Sequence, residues 1–293
     1  KWGAVDVSAI VLHAKIMSGF REPEKSEKAV FTGRIQRDGY AIEKYFVKGE
    51  GDYVIPFLRM VPQNSTNKTI LYLHPSGKAA GAKPGGEMEA LVKNGFSVLA
   101  PDLPGIGEMG SSDFKGDAFI GGVSHNIWYS SMLVGRSIAG LHAGDIARVL
   151  ASVEKPEGNE VYGIARKEMT SALLHAAAFI PSINRVALIE PLSAYESLVM
   201  SRYYYSPFVI GAVPGSLKVY DLPELAATLA PRKLLIVNPV NGMGESLGDD
   251  EIKQQFNVVT TVYEDVNGGG NVTIARGISA ENVGHFLREW SGP

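Results

Sequence analysis

Cysteine is absent from all 293 residues, which excludes disulfides, thiolate catalysis and cysteine-bound metal. The fold must therefore be held by packing and hydrogen bonds. No block of like charge accompanies the net charge of −3, so the electrostatic footprint of a nucleic-acid partner or an anionic-membrane binder is missing. Apolar runs such as Lys233–Val237 stop far short of the roughly 18 residues a membrane helix needs. His, Asp and Glu nowhere stand at metal-ligand spacing, and Gly268-Gly269-Gly270 has no following Lys-Ser/Thr to make a phosphate cradle. No metal and no cofactor are expected.

What is present is a globular composition, 45% hydrophobic and 20% charged, with enough apolar surface for a large core. The chain starts at Lys1, not Met, which fits a cleaved signal peptide, an excised domain or a start further upstream. Residues 1–28 pass from the apolar Val5–Met17 into the charged, Pro-containing Arg21–Lys28 and read as an N-terminal appendage or linker. Residues 29–293 then read as one domain. Phe31–Gln36, Ala41–Lys48 and Tyr53–Val61 alternate apolar and polar residues, as antiparallel strands do.

From Thr69 onward short apolar strands alternate with helical stretches, which implies parallel strands joined by crossover helices. The strands are read as Ile70–His74, Ser97–Ala100, Glu160–Ile164, Arg185–Ile189, Lys233–Asn238 and Val258–Tyr263. The helices are read as Gly86–Asn94, Ser130–Val153, Met169–Phe179, Ser193–Met200, Leu222–Ala230, Asp249–Gln255 and Glu281–Trp290. An α/β architecture follows: a doubly wound, mostly parallel sheet with antiparallel N-terminal strands and its site at the carboxyl ends of the parallel strands.

Two strand-end segments narrow this further. His74-Pro75-Ser76-Gly77-Lys78 and Ala100-Pro101-Asp102-Leu103-Pro104-Gly105-Ile106-Gly107-Glu108 resemble the oxyanion-hole loop and the Asp-x-x-Gly-x-Gly turn of the α/β-hydrolase fold. Tyr195-Glu196-Ser197, Val219–Pro223 and Ala230–Ile236 look like acetyl xylan esterase-like hydrolases. The resemblance covers roughly residues 30–290 and implies an esterase scaffold. It also implies a carbohydrate or acylated-sugar ligand, a neighbouring hydrolase domain in the same enzyme, and an extracytoplasmic location.

In such enzymes a Gly-x-Ser-x-Gly elbow between strand and helix exposes the nucleophile beside backbone N–H donors. The matching turn reads Ala165-Arg166-Lys167-Glu168-Met169, with Lys167 in the serine slot. Ala165 and Met169 replace the flanking glycines, from which relaxation of the strained elbow backbone is expected. The slot of the triad acid, in Pro239–Gly244, holds Asn241; an amide cannot offset an imidazolium charge. His285, in Gly284-His285-Phe286-Leu287, resembles the catalytic histidine.

This pattern implies a catalytically degenerate member. The alternative is an active carboxylic-ester hydrolase with a relocated serine. Ser137, in Gly135-Arg136-Ser137-Ile138-Ala139-Gly140, is its main candidate nucleophile, although apolar residues at helical spacing around it favour a helix. Ser76 and Gly77 belong to the oxyanion loop as substrate-contacting residues, and Glu190 is an alternative acid for His285. Tyr203-Tyr204-Tyr205, with Trp128 and Tyr129, offers an aromatic platform for sugar rings. A lysine base or imine former at Lys167 beside Glu168 is a third chemistry.

Overall fold

The computed structural model describes residues 6–25, 27–110, 119–120, 123–154 and 157–292. Alternating apolar residues build three antiparallel strands, β1 (Val30–Arg37), β2 (Tyr40–Lys48) and β3 (Val54–Pro62). They lead into β4 (Lys68–Leu73) and β5 (Ser97–Pro101). Two short strands, β6 (Phe119–Ile120) and β7 (Val123–Ser124), pair only with each other. The main sheet continues with β8 (Glu160–Arg166), β9 (Ile183–Ile189), β10 (Lys233–Val237) and β11 (Val272–Ala275).

Its order is β1-β2-β3-β5-β4-β8-β9-β10-β11. Pairing is antiparallel as far as β3 with β5 and parallel from there to β11. This is the doubly wound, mostly parallel sheet that the hydrophobic pattern predicts.

Helices cover both faces, as buried parallel strands require. On one side lie α1 (Val7–Ser18), α5 (Ile138–Ser152), α6 (Met169–Phe179), α8 (Leu222–Ala227) and α10 (Asn257–Asp265), packed through Ala14, Ile146, Leu173, Leu225 and Val259. On the other lie α3 (Glu87–Lys93) and α11 (Ala280–Ser291), through Met88, Leu91, Val283, Leu287 and Trp290. Shorter helices α2 (Lys78–Gly81), α4 (His125–Leu133), α7 (Tyr195–Met200) and α9 (Asp249–Gln255) fill the connections. Among the described residues, no helix is long and apolar enough to cross a membrane.

Four segments differ from the sequence reading. Val258–Tyr263, read as a strand, lies in α10, because Val259 and Tyr263, four residues apart, bury together on a helical face. The last strand is instead β11, four residues long and following the glycine run that had been placed beyond it. The single helix read over Ser130–Val153 is two, because Gly135 at φ 70 ends α4 and Ser137 caps α5. The segment read as an appendage contains α1, whose Ile10 and Ala14 are buried in the main core. There the Ser18 carbonyl approaches α5 so closely that a Cβ at Gly140 would lie 2.1 Å from its oxygen.

Helix α5 also buries a carboxylate. Asp145 is fully buried, accepting from the Tyr53 hydroxyl at 2.8 and 3.0 Å, with Arg148 at 3.4 Å. Burial pushes its carboxyl up to about 7, against the pull of Tyr53 and Arg148. The folded protein thus keeps a proton that the unfolded chain, near 3.8, has released, and stability falls as pH rises between those values. Asp145→Asn should therefore stabilise the protein at pH 8 by at most about 4 kcal/mol, and by less at pH 5. Urea unfolding at the two pH values measures this, and an equal gap at both refutes it.

Candidate active site

Three neighbouring parallel strands end in the same manner. Just past β8, β9 and β10 stand Lys167 (φ 50), Glu190 (φ 54) and Asn238 (φ 52). Each donates its N–H to the last carbonyl of the next strand: Lys167 to Ile189 and Glu190 to Val237 at 2.8 Å, Asn238 to Ala275 at 2.7 Å. Asparagine tolerates this left-handed backbone; lysine and glutamate adopt it at a cost of roughly 1–2 kcal/mol. A left-handed backbone is therefore present at Lys167 without flanking glycines, contrary to the expected relaxation. The β8 ladder and the Thr170 N–H, which donates to the Lys167 carbonyl at 3.0 Å, hold it there.

The shared reversal brings Lys167 Nζ to 3.6 Å from Glu190 Oε2, with the side chains 51% and 39% exposed. An ion pair this wet contributes under about 1 kcal/mol and stays exchangeable. Glu168 lies beside it. Burial raises its carboxyl, opposed by its own backbone N–H, Lys167 and Tyr205, and its Oε2 has no hydrogen-bond partner among the described residues. Tyr205 is raised in turn by burial and the Glu168 charge.

Beneath runs a drier network. Arg166 grips Glu87 with two bonds of 2.8 Å, and the Tyr72 hydroxyl donates to the same carboxylate at 2.6 Å. Burial opposes ionisation of Glu87, but Arg166 and Tyr72 hold its carboxyl below the usual range. His74 ends the row at the tip of β4. Burial and then the Arg166 cation lower it, and its Nδ1 accepts the Ser76 N–H at 3.0 Å. Its proton is therefore on Nε2.

In the loop after β4, Ser76 is exposed, whereas Gly77 is buried at φ 80. A Cβ on Gly77 would strike Asp102 Oδ1 at 2.6 Å and Gly107 Cα at 2.7 Å. Asp102 holds both loops, accepting from the backbone N–H of Lys78 at 2.7 Å and of Glu108 at 2.9 Å. In the loop after β10, the Asn241 carbonyl oxygen accepts from Met243 and Glu245 N–H, and its amide donates to the Glu245 carboxylate. That side chain closes its own loop.

His285 is the sixth residue of α11, within the helix read over Glu281–Trp290; Ser279 caps the helix, and Val283, Leu287 and Trp290 bury along it. Its side chain lies outside the described residues. Ser137 is 1% exposed, capping α5 at Gly140 N–H and donating to the Ser18 carbonyl, both at 3.0 Å. It stands on a helix start inside the core, not on a strand-end turn. Sequence reading named His74, Glu168 and Tyr205 but not the contacts of Glu168 with Tyr205 or of His74 with Ser76, and it missed the Arg166–Glu87 pair. Adjacency of His74, Arg166 and Glu168 to the strand ends was the available signal.

Among solved structures, one described as a candidate acetyl xylan esterase from Bacteroides fragilis superposes with TM-score 0.71 at 18% identity, covering 92% of this chain and 73% of its own. A methylesterase gives 0.67 at 16%, covering 97% and 63%. A glucuronoyl esterase from Solibacter usitatus gives 0.62 at 15%, covering 98% and 92%. The chain has the α/β-hydrolase fold. No family model matches the chain, and no curated protein does. In the α/β-hydrolase fold the backbone N–H of the residue after the nucleophile is one of the two donors that face an oxyanion, and Glu168 follows Lys167 at this strand end.

Two substitutions test these assignments in urea unfolding. Lys167→Asn, matching Asn238, should stabilise the protein by about 0.5–1 kcal/mol by relieving the left-handed backbone; a loss of that size would show the ion pair to dominate. Ser137→Ala should destabilise it by about 1–2 kcal/mol through loss of the cap, and an unchanged midpoint would reject the capping role.

Proposed function

We propose that this chain is an esterase-like α/β-hydrolase domain that does not turn over esters. In this reading it is an accessory or structural part of a polysaccharide-degrading hydrolase, binds a carbohydrate or acylated sugar, and works outside the cytoplasm. The occupant of the elbow carries the proposal: Lys167 stands where the fold exposes a nucleophile and faces Glu190 at 3.6 Å. An amine that captured an acyl group would become an amide, which does not hydrolyse readily, so no cycle closes.

The surroundings support the same reading. Asn241 is committed to Glu245 and Met243 and the Ser76 N–H to His74. Exposed Tyr203, Tyr204 and Tyr205 adjoin the elbow through the contact of Tyr205 with Glu168. Aromatic faces of this kind suit sugar rings. The neighbours named acetyl xylan esterase and glucuronoyl esterase favour a decorated sugar.

With p-nitrophenyl acetate and acetylated xylan, the purified chain should give no turnover above background and no labelling by a fluorophosphonate probe. Turnover abolished by His285→Ala, or labelling lost on Ser137→Ala or Ser76→Ala, would overturn the proposal in favour of a relocated serine.

A further inference from the structure

A cavity of about 560 Å³ opens between the β2–β3 ribbon and the two loops that Asp102 holds together. No elbow residue lines it. Its walls are apolar and partly aromatic, from Tyr45, Phe46, Val54 and Pro56. Lys78, only 8% exposed, reaches into it with a charged head. The volume falls within the range of small-molecule sites.

The charges on Lys78 are unequal in kind. On its inner side the ammonium bonds Asp102 Oδ2 at 2.5 Å, a carboxylate that is itself 2% exposed. This partner is permanent, since a buried ammonium without a counter-charge would be costly. On the cavity side the ammonium bonds Glu108 Oε1 at 2.8 Å, but that side chain is 72% exposed. A solvated carboxylate gains little from such a contact and leaves it easily. Lys44, an exposed cation, lines the same cavity.

We propose that this cavity is a binding site for a small aryl monocarboxylate, whose carboxylate replaces Glu108 on Lys78 while its ring lies against the Phe46, Val54 and Pro56 face of the ribbon. The exchange conserves charge, because one carboxylate leaves the ammonium as another arrives. Lys44 adds attraction at the mouth, so binding weakens with salt.

Benzoate and 4-hydroxycinnamate, titrated calorimetrically into the full chain, are the probes, with methyl benzoate as the uncharged control. Both acids should bind and the ester should bind at least tenfold more weakly. Glu108→Gln, which removes the competing charge, should tighten the acids by about fivefold. Ala79→Trp fills the lining at an exposed position without touching Lys78, and should abolish binding while the unfolding midpoint stays in place. No binding to wild type or Glu108→Gln at millimolar acid, equal binding of the ester, or unaltered affinity in Ala79→Trp each overturns the proposal. None of these readouts depends on esterase activity, so the outcome is separate from that of the elbow.

Discussion

The N–H groups of Lys167, Glu190 and Asn238 each extend the parallel ladder by one bond beyond the last strand residue, and the site depends on that extension. In each case the residue that makes this further bond is itself the one with a left-handed backbone, so the chain turns away at the point where the ladder ends. Because β8 and β9 are adjacent and reverse at matching levels, their turning residues share one rim of the sheet. The meeting of Lys167 and Glu190 at 3.6 Å is thus a consequence of sheet register before it is one of charge. Asn238 meets the same demand with a residue that tolerates it and uses its side chain to hold Ile278 through both backbone groups. Lysine and glutamate in equivalent places carry strain that such a structural role does not call for, and strain of this kind gathers at functional positions.

Charge at this end of the sheet is layered. The Arg166–Glu87 pair with Tyr72 is largely withdrawn from water and fully hydrogen-bonded, so removing one member would leave an uncompensated buried ion. Its rigidity fixes the direction in which β8 delivers Lys167. The outer pair, Lys167 and Glu190, is wet and exchangeable. Asp102 repeats this division at the end of β5, with a buried bond inward from Lys78 and a solvated partner, Glu108, outward. A fixed inner ion pair beneath a replaceable outer one is an arrangement suited to receiving polar ligands at both places.

Much of the sheet was legible because a buried parallel strand is a short apolar run and a half-buried antiparallel strand alternates. Val161 to Ile164 and Leu234 to Val237 follow the first rule; Tyr40 to Lys48 follows the second in part. Val258 to Tyr263 failed because β-branched residues suit a strand surface, while the tertiary context buried Val259 and Tyr263 on one side of a helix. β11 failed for the opposite reason: an edge strand of three half-buried residues and the exposed Thr273 gives too little apolar signal. At the site, Lys167 was legible from its place between strand and helix. Glu190 was legible only as the residue after a strand, since its partnership with Lys167 needs the relative height of two strands. The surroundings of His74 and Glu168 were hidden because they come from Arg166, Tyr205 and Ser76, which converge only in space.

With Lys167 at the elbow, as proposed, two requirements that a Gly-x-Ser-x-Gly motif combines are separated. The backbone reversal is demanded by the ladder and is met here through Lys167 N–H and the Thr170 N–H that accompanies it. The chemistry is demanded only by turnover. On the proposed reading, the chemical slots have been taken into local structure: Lys167 faces Glu190, and Asn241 ties its loop to Glu245. The first contact joins the ends of β8 and β9, and the second lies in the loop after β10. Loss of catalysis distributed in this way leaves the packed sheet untouched, since the two cores meet the sheet through Leu173, Leu225, Val283 and Leu287 and not through the residues of the rim. The proposed reading therefore asks nothing of the packed sheet beyond rigid support for surfaces at its carboxyl edge.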